Sequence, residues 1–372
     1  MHFLELQTTV YIKKMIKPKK LTKGDKVALV SLSSGMAGDS EYIHRYYLGK
    51  KRLEEEFKLK VVTMPNALKG SKYIEKHPEK RAEDLINAFN DKEIKGVICI
   101  AGGNDALKVL PYVDFETIKN NPKVFMGYSD STINHFMMYK ANITSYYGPA
   151  VISEFAENYK MHKYTKKYIK KILFKNKKNI IINSSKNWTS EFLDWAKPEN
   201  DNIKRKMQKE RHGFEILQGK HDVEGKLLGG CLNVLPNLIG TLIWPNTDEW
   251  QDTVLFLETS PETSEPERII EYLQKLFHTG IFNKIAAIIV GKPYDESYYE
   301  EYKEVYIKFI NDVVKRHDLP ILYNVNIGHT APMCIFPLGQ KIKIDLKNRK
   351  IIFTEKPMND WFLFIKKHNI NM

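Results

Sequence analysis

The nonapeptide VFMGYSDST, Val124–Thr132, sets a serine where it could act as a nucleophile. An apolar run enters Gly127-Tyr128-Ser129-Asp130, and Ile133, Phe136, Met137 and Lys140 continue at helical spacing. A serine at so tight a strand-to-helix turn is held clear of the sheet, with the positive end of the helix facing any developing anion. Gly127 permits the close turn. The pattern is near to G-x-S-x-G, with Ser131 in place of the last glycine. A hydroxyl at this point can equally cap the helix, so the motif alone leaves both roles open.

A nucleophilic serine needs oxyanion donors, a base, and an acid that orients the base. The preceding strand ends in Ala101-Gly102-Gly103-Asn104-Asp105, and in a parallel sheet it lies beside the strand of Ser129. A backbone N–H of Gly102 or Gly103 and that of Asp130 then converge, each donor being worth about 10²–10³ in rate. Gly103 and Asp130 are the expected donors, with Gly102 against the substrate. A phosphate-cradling loop is the competing reading of the glycine pair, although neither GxGxxG nor GxxxxGK spacing is present. Among eleven histidines, His329 in VNIGHTAP stands in a loop after a short strand, framed by Gly328 and Pro332. His135 falls on the helix after Ser129, where packing is its expected role. Glu258 closes the apolar strand VLFLE, where a carboxylate is costly unless exposed or paired, and so is expected at a sheet edge facing a cleft. Glu262, Glu265 and Glu267 follow and can instead cap the next helix.

The elements that must position these groups alternate. Strands are expected at Lys26–Leu32, Leu59–Thr63, Gly96–Ala101 and Val124–Gly127, with helices over Tyr42–Phe57 and Pro78–Phe89. That alternation implies a parallel sheet covered on both faces, with ligands at the carboxyl ends of its strands. A lysine-rich helix, Lys160–Lys178, leads into a polar stretch from Asn183 to Gly213 with Trp188 and Trp195, read as a linker or long loop. From Val223 a second α/β unit begins with GKLLGG, Gly225–Gly230, read as opening a helix that Pro236 and Gly240 interrupt. Further strands fall at Val254–Glu258, Ile285–Gly291, Ile321–Val325, Lys341–Leu346 and Lys350–Phe353, with helices over Pro266–Thr279 and Tyr298–Arg316. The domains are therefore an arm, residues 1–20; a nucleophile domain, 21–178; a linker or substrate loop, 179–222; and a C-terminal domain, 223–372.

With 372 residues, 42% hydrophobic and 28% charged, the chain has the composition of a folded protein rather than a disordered one. Its net charge of +13 favours anionic partners, but no basic run joins regularly spaced aromatics, so nucleic acid is not expected as a partner. Cys99, Cys231 and Cys334 form no CxxC pair, which argues against a zinc site or disulfide framework. The stretch MHFLELQTTVYIKKMIKPKK has its apolar residues before its basic ones, the reverse of a secretory signal. No apolar run spans a bilayer. A cytoplasmic protein without membrane partner is expected.

Together AGGND (Ala101–Asp105), GYSDST (Gly127–Thr132), YGPA (Tyr147–Ala150), GKLLGGCLNVL (Gly225–Leu235), LFLETS (Leu255–Ser260), VGKP (Val290–Pro293) and IGHTAP (Ile327–Pro332) follow a family's order. The chain resembles the serine peptidases that comprise LD-carboxypeptidases and microcin C immunity proteins, from about Leu21 to Phe353. The resemblance implies a flavodoxin-like N-terminal domain carrying Ser129 and a smaller, β-rich α/β C-terminal domain supplying Glu258 and His329. It also implies a small-molecule substrate, no metal or organic cofactor, and a homodimer. Ser131 stands where the family usually has an aliphatic residue. Two features resemble the immunity branch: the ETS continuation, Glu258–Ser260, and Trp188 in NWTSEFLDW, where immunity proteins carry a tryptophan that stacks on a nucleobase. Hydrolysis of an aminoacyl- or peptidyl-nucleotide amide is the implied activity. Release of D-alanine from murein tetrapeptide is the alternative, and a non-catalytic binder of such molecules a third reading.

Overall fold

The computed structural model describes residues 14–360 apart from Ser264; residues 1–13 of the expected arm and 361–372 of the expected C-terminal domain lie outside the described residues. Strands β1 (Lys26–Val30), β2 (Lys60–Thr63), β3 (Ile94–Cys99), β4 (Val124–Gly127) and β5 (Ser145–Tyr147) pair in parallel in the spatial order 2-1-3-4-5. This is the flavodoxin-like order, whose ligand crevice opens where the winding reverses beside β1 and β3. The strands β3 and β4 are buried almost throughout, as expected when helices cover both faces.

The remaining strands are β6 (Ile180–Ile182), β7 (Asn187–Trp188), β8 (Gln208–Lys209), β9 (Glu215–Gln218), β10 (Val223–Cys231), β11 (Thr253–Glu258), β12 (Ala287–Gly291), β13 (Ile321–Val325), β14 (Phe336–Leu338), β15 (Lys341–Asp345) and β16 (Lys350–Phe353). An eight-stranded sheet runs β6-β16-β15-β10-β11-β12-β13-β9, parallel through its four central members and antiparallel outside them. β14 leaves this sheet and pairs antiparallel with β5, closing the edge of the first. One continuous apolar core joins both sheets.

The glycine-rich segment Gly225–Gly230 is a strand, not the start of a helix. β15 bonds it on one side and β11 on the other, and this long-range pairing overrides the local signal. Its glycines instead permit close approach: a Cβ on Gly229 would lie 1.9 Å from the Phe256 carbonyl oxygen. Among residues expected as an arm, Ile16 forms a parallel bridge to Ile143, and Met15 is buried. No described helix is long and apolar enough to cross a membrane.

Candidate active site

Ser129 stands one residue beyond the end of β4, after Tyr128, and has φ +62°, a left-handed conformation rarely adopted by a residue with a side chain. Such strain marks a strand-to-helix elbow that lifts its hydroxyl out of the sheet. The helix Thr132–Lys140 continues from a single tight turn over Ser129–Ser131. Ser129 is thus not the cap of that helix: no side-chain cap bond is made at its start.

Glu258 ends β11, opposite Cys231 of β10, and is 1% exposed. The strand is central, so the carboxylate is not at the sheet edge expected of it; pairing rather than exposure satisfies it. His329 Nδ1 lies 2.7 Å from Glu258 Oε2, and His329 Nε2 lies 3.1 Å from Ser129 Oγ. Three distant stretches of chain therefore meet in one hydrogen-bonded line. Burial alone would favour the neutral forms of Glu258 and His329. For Glu258 the charge and hydrogen bond of His329, aided by Tyr147 and Cys231, outweigh burial and hold the carboxyl below its ordinary pKa. For His329 burial pulls down, but Glu258 more than reverses it, with smaller help from Glu154 and Glu262, so the imidazole titrates above 6.5.

Tyr147 was a missed participant. Its hydroxyl donates to Glu258 Oε1 and accepts the Ser129 backbone N–H at 3.0 Å, linking acid and nucleophile behind the imidazole. Its signal was the YGPA motif, quoted for its family likeness but given no role. His135 is fully buried between Gly127 O (2.9 Å) and Ser145 Oγ (2.8 Å), and burial lowers it to about 4, consistent with packing. Cys231, Glu258 and His329 bring ligand-type atoms within 4.8 Å of one another. The imidazole and carboxylate already satisfy each other there, and burial holds the Cys231 thiol protonated, so the set suits proton transfer better than a metal ion.

Ser129 and His329 line a cleft of about 750 Å³ between the two sheets' loops, as do Gly102, Gly103, Asn233, Ser260 and Trp195. Gly102 sits against the nucleophile: a Cβ there would be 3.1 Å from Ser129 Oγ. Among the described residues, no hydrogen bond engages the N–H of Gly103 or of Asp130. Trp188 is not brought to the cleft. It is 1% exposed, with the Lys292 ammonium 4.3 Å from its ring centroid, so it offers no free face to a base. Its burial instead seats the adjoining Thr189, which forms an antiparallel bridge with Ala331 in the His329 loop (N–O 2.7 and 3.0 Å).

Comparison with known proteins finds relatives over both halves of the chain. The family model for the LD-carboxypeptidase N-terminal domain matches residues 27–148, and that for the C-terminal domain matches 224–344. The microcin C7 self-immunity protein MccF of Escherichia coli is 29% identical over 282 residues, 75% of this chain and 79% of that protein. The crystal structure of an MccF-like protein from Streptococcus pneumoniae in complex with AMP is 34% identical, covers 89% of this chain and 98% of its own, and superposes with a TM-score of 0.82. MccF in complex with aspartyl sulfamoyl adenosine is 26% identical over 92% of this chain and all of its own, with a TM-score of 0.79. Matched in both halves and over nine-tenths of a solved relative's fold, the chain belongs to the LD-carboxypeptidase family of serine peptidases.

Proposed function

We propose that the protein hydrolyses the amide joining an aminoacyl or peptidyl group to a nucleotide, through an acyl-enzyme on Ser129. The observation that carries this is the Ser129–His329–Glu258 line, with its 3.1 Å and 2.7 Å links. His329 takes the Ser129 proton as Oγ attacks the carbonyl carbon, and the N–H groups of Gly103 and Asp130 receive the oxyanion. The imidazolium, stabilised by Glu258, then protonates the leaving nitrogen. Water repeats the sequence on the ester, returning Ser129 and releasing the acid. No proton moves to Glu258.

The nucleotide-directed branch is supported by the relatives, whose structures hold AMP and aspartyl sulfamoyl adenosine. It is also supported by Trp195, an aromatic wall of the cleft suited to a base and superfluous for D-alanine. In this reading Trp195 takes the stacking role expected of Trp188.

Ser129→Ala tests the proposal. Turnover of an aminoacyl sulfamoyl adenosine, followed by chromatography, should fall by at least about a thousandfold with the melting temperature retained. Unchanged turnover would sink the mechanism. Wild-type protein that cleaves murein tetrapeptide and leaves the nucleoside intact would move it to the carboxypeptidase branch.

A further inference from the structure

Ser33 belongs to none of the reacting groups, yet its hydroxyl contacts only what surrounds them. It lies just beyond β1 and is 4% exposed. Its Oγ donates to Asp130 Oδ2 at 2.5 Å and accepts the Asp105 backbone N–H at 3.3 Å. The same Asp130 oxygen accepts the Ala106 N–H at 2.8 Å. One carboxyl oxygen therefore ties the nucleophile elbow to the loops that follow β1 and β3.

The tie reaches the glycine pair directly. A Cβ built on Gly103 would lie 2.3 Å from Ser33 Oγ, so that hydroxyl is packed against the Gly103 backbone. The next residue, Ser34, donates its N–H to Gly102 O at 2.9 Å. Arg81, fully buried, fixes the outer end: it donates to Leu32 O at 3.1 Å and to Asp105 Oδ1 at 2.7 Å. The peptide bearing the Gly103 N–H is thus gripped from behind by the loop after β1, and that loop is latched to the residue bearing the other donor.

We propose that Ser33 and the Asp130 carboxyl are positioning residues, which hold the Gly103 and Asp130 N–H groups at a fixed separation about Ser129. This rests on the oxyanion role given to those two N–H groups. Such donors act when preorganised about 2.7–3.1 Å from where the oxyanion forms, and a misplacement of about 1 Å can cost about a hundredfold. The latch stabilises the transition state through geometry alone, since neither Ser33 nor the carboxyl touches the substrate carbonyl. Its bonds need an oxygen acceptor rather than a negative charge. Burial raises the Asp130 pKa, in keeping with a site that disfavours the ion.

The experiment compares full-length wild type, Ser33→Ala, Asp130→Ala and Asp130→Asn in hydrolysis of an alanyl sulfamoyl adenosine, with kcat, KM and pH profile measured separately. Ser33→Ala should lose about ten- to a hundredfold in kcat, with KM within about threefold and the acid midpoint unmoved, because the His329–Glu258 pair is intact. Asp130→Asn, which retains an oxygen acceptor, should lose less than Asp130→Ala. Should Asp130→Ala fail to fold, Ser33→Ala, which removes one oxygen, decides the matter. Wild-type kcat in Ser33→Ala, a loss confined to KM, or a displaced midpoint each overturns the latch. A wild type inert toward the substrate and toward a fluorophosphonate overturns the hydrolase reading itself.

Discussion

The strand ends and the polar segment between residues 183 and 213 serve the same cleft by opposite means. Ser129 and Glu258 are placed by apolar ladders: β4 and β11 are buried along their whole length, so register and core packing fix where each ends. The polar segment has few aliphatics and is fastened by charges. Arg205 reaches Glu157 (Nε–Oε1 2.9 Å); Asp201 takes Arg45 at 2.7 Å; Glu210 takes the buried Lys292 at 3.1 Å. Glu157 and Arg45 belong to the first half, Lys292 to the second, so the segment is a strap across both. In the proposed function, chemistry falls to the ladder-built strand ends and recognition to the strap.

Four substitutions probe that contrast, from the largest effect down. Glu258→Gln attacks the ladder-built part. It should lower kcat by about 10²–10⁴. Because the carboxylate holds the His329 pKa above its ordinary value, the acid limb of the kcat/KM profile should move to lower pH in the variant. An unmoved limb would mean that Glu258 does not govern the imidazole.

Arg205→Ala attacks the strap. It takes one of two partners from the buried Glu157 carboxylate and leaves His162, and denaturant titration should show a loss of about 1–3 kcal/mol. Burial pushes Glu157 up, but His162 and Arg205 more than offset it and bring it to about 2. A depressed carboxyl contributes stability above its unfolded pKa, near 4.5, and loses it as pH falls toward 2. That acid loss should be shallower in the variant; equal slopes would show that the pair is not coupled to folding. Trp195→Ala should raise KM for a nucleotide substrate about tenfold and leave kcat near wild type. Trp188→Phe should leave KM unchanged, and a KM effect there rather than at Trp195 would reverse the assignment of the two.

Much of this was readable before any coordinates. Ser129, Glu258 and His329 sit at strand ends with glycine or proline nearby, so local punctuation announces them, and the alternating elements foretell the 2-1-3-4-5 sheet's class. What was not readable depends on partners remote in the chain. β10 reads as a helix start until β11 and β15 bond it. Tyr147 gains its role only because Glu258 and the Ser129 N–H converge on one hydroxyl. Trp188 and Trp195 are alike in sequence context, and only Lys292 and the Ala331 bridge decide which is enclosed.

The exchange of β14 into the first sheet has a consequence for how the enzyme comes into being. The N-terminal sheet presents β5 with an open edge until Phe336–Leu338 emerges, and an open edge invites pairing with other chains. Its nucleophile is likewise without a base until His329 is made. A fragment ending before His329 should therefore be sticky and inert, and hydrolytic power arrives late in synthesis, shortly before the strand that seals the fold.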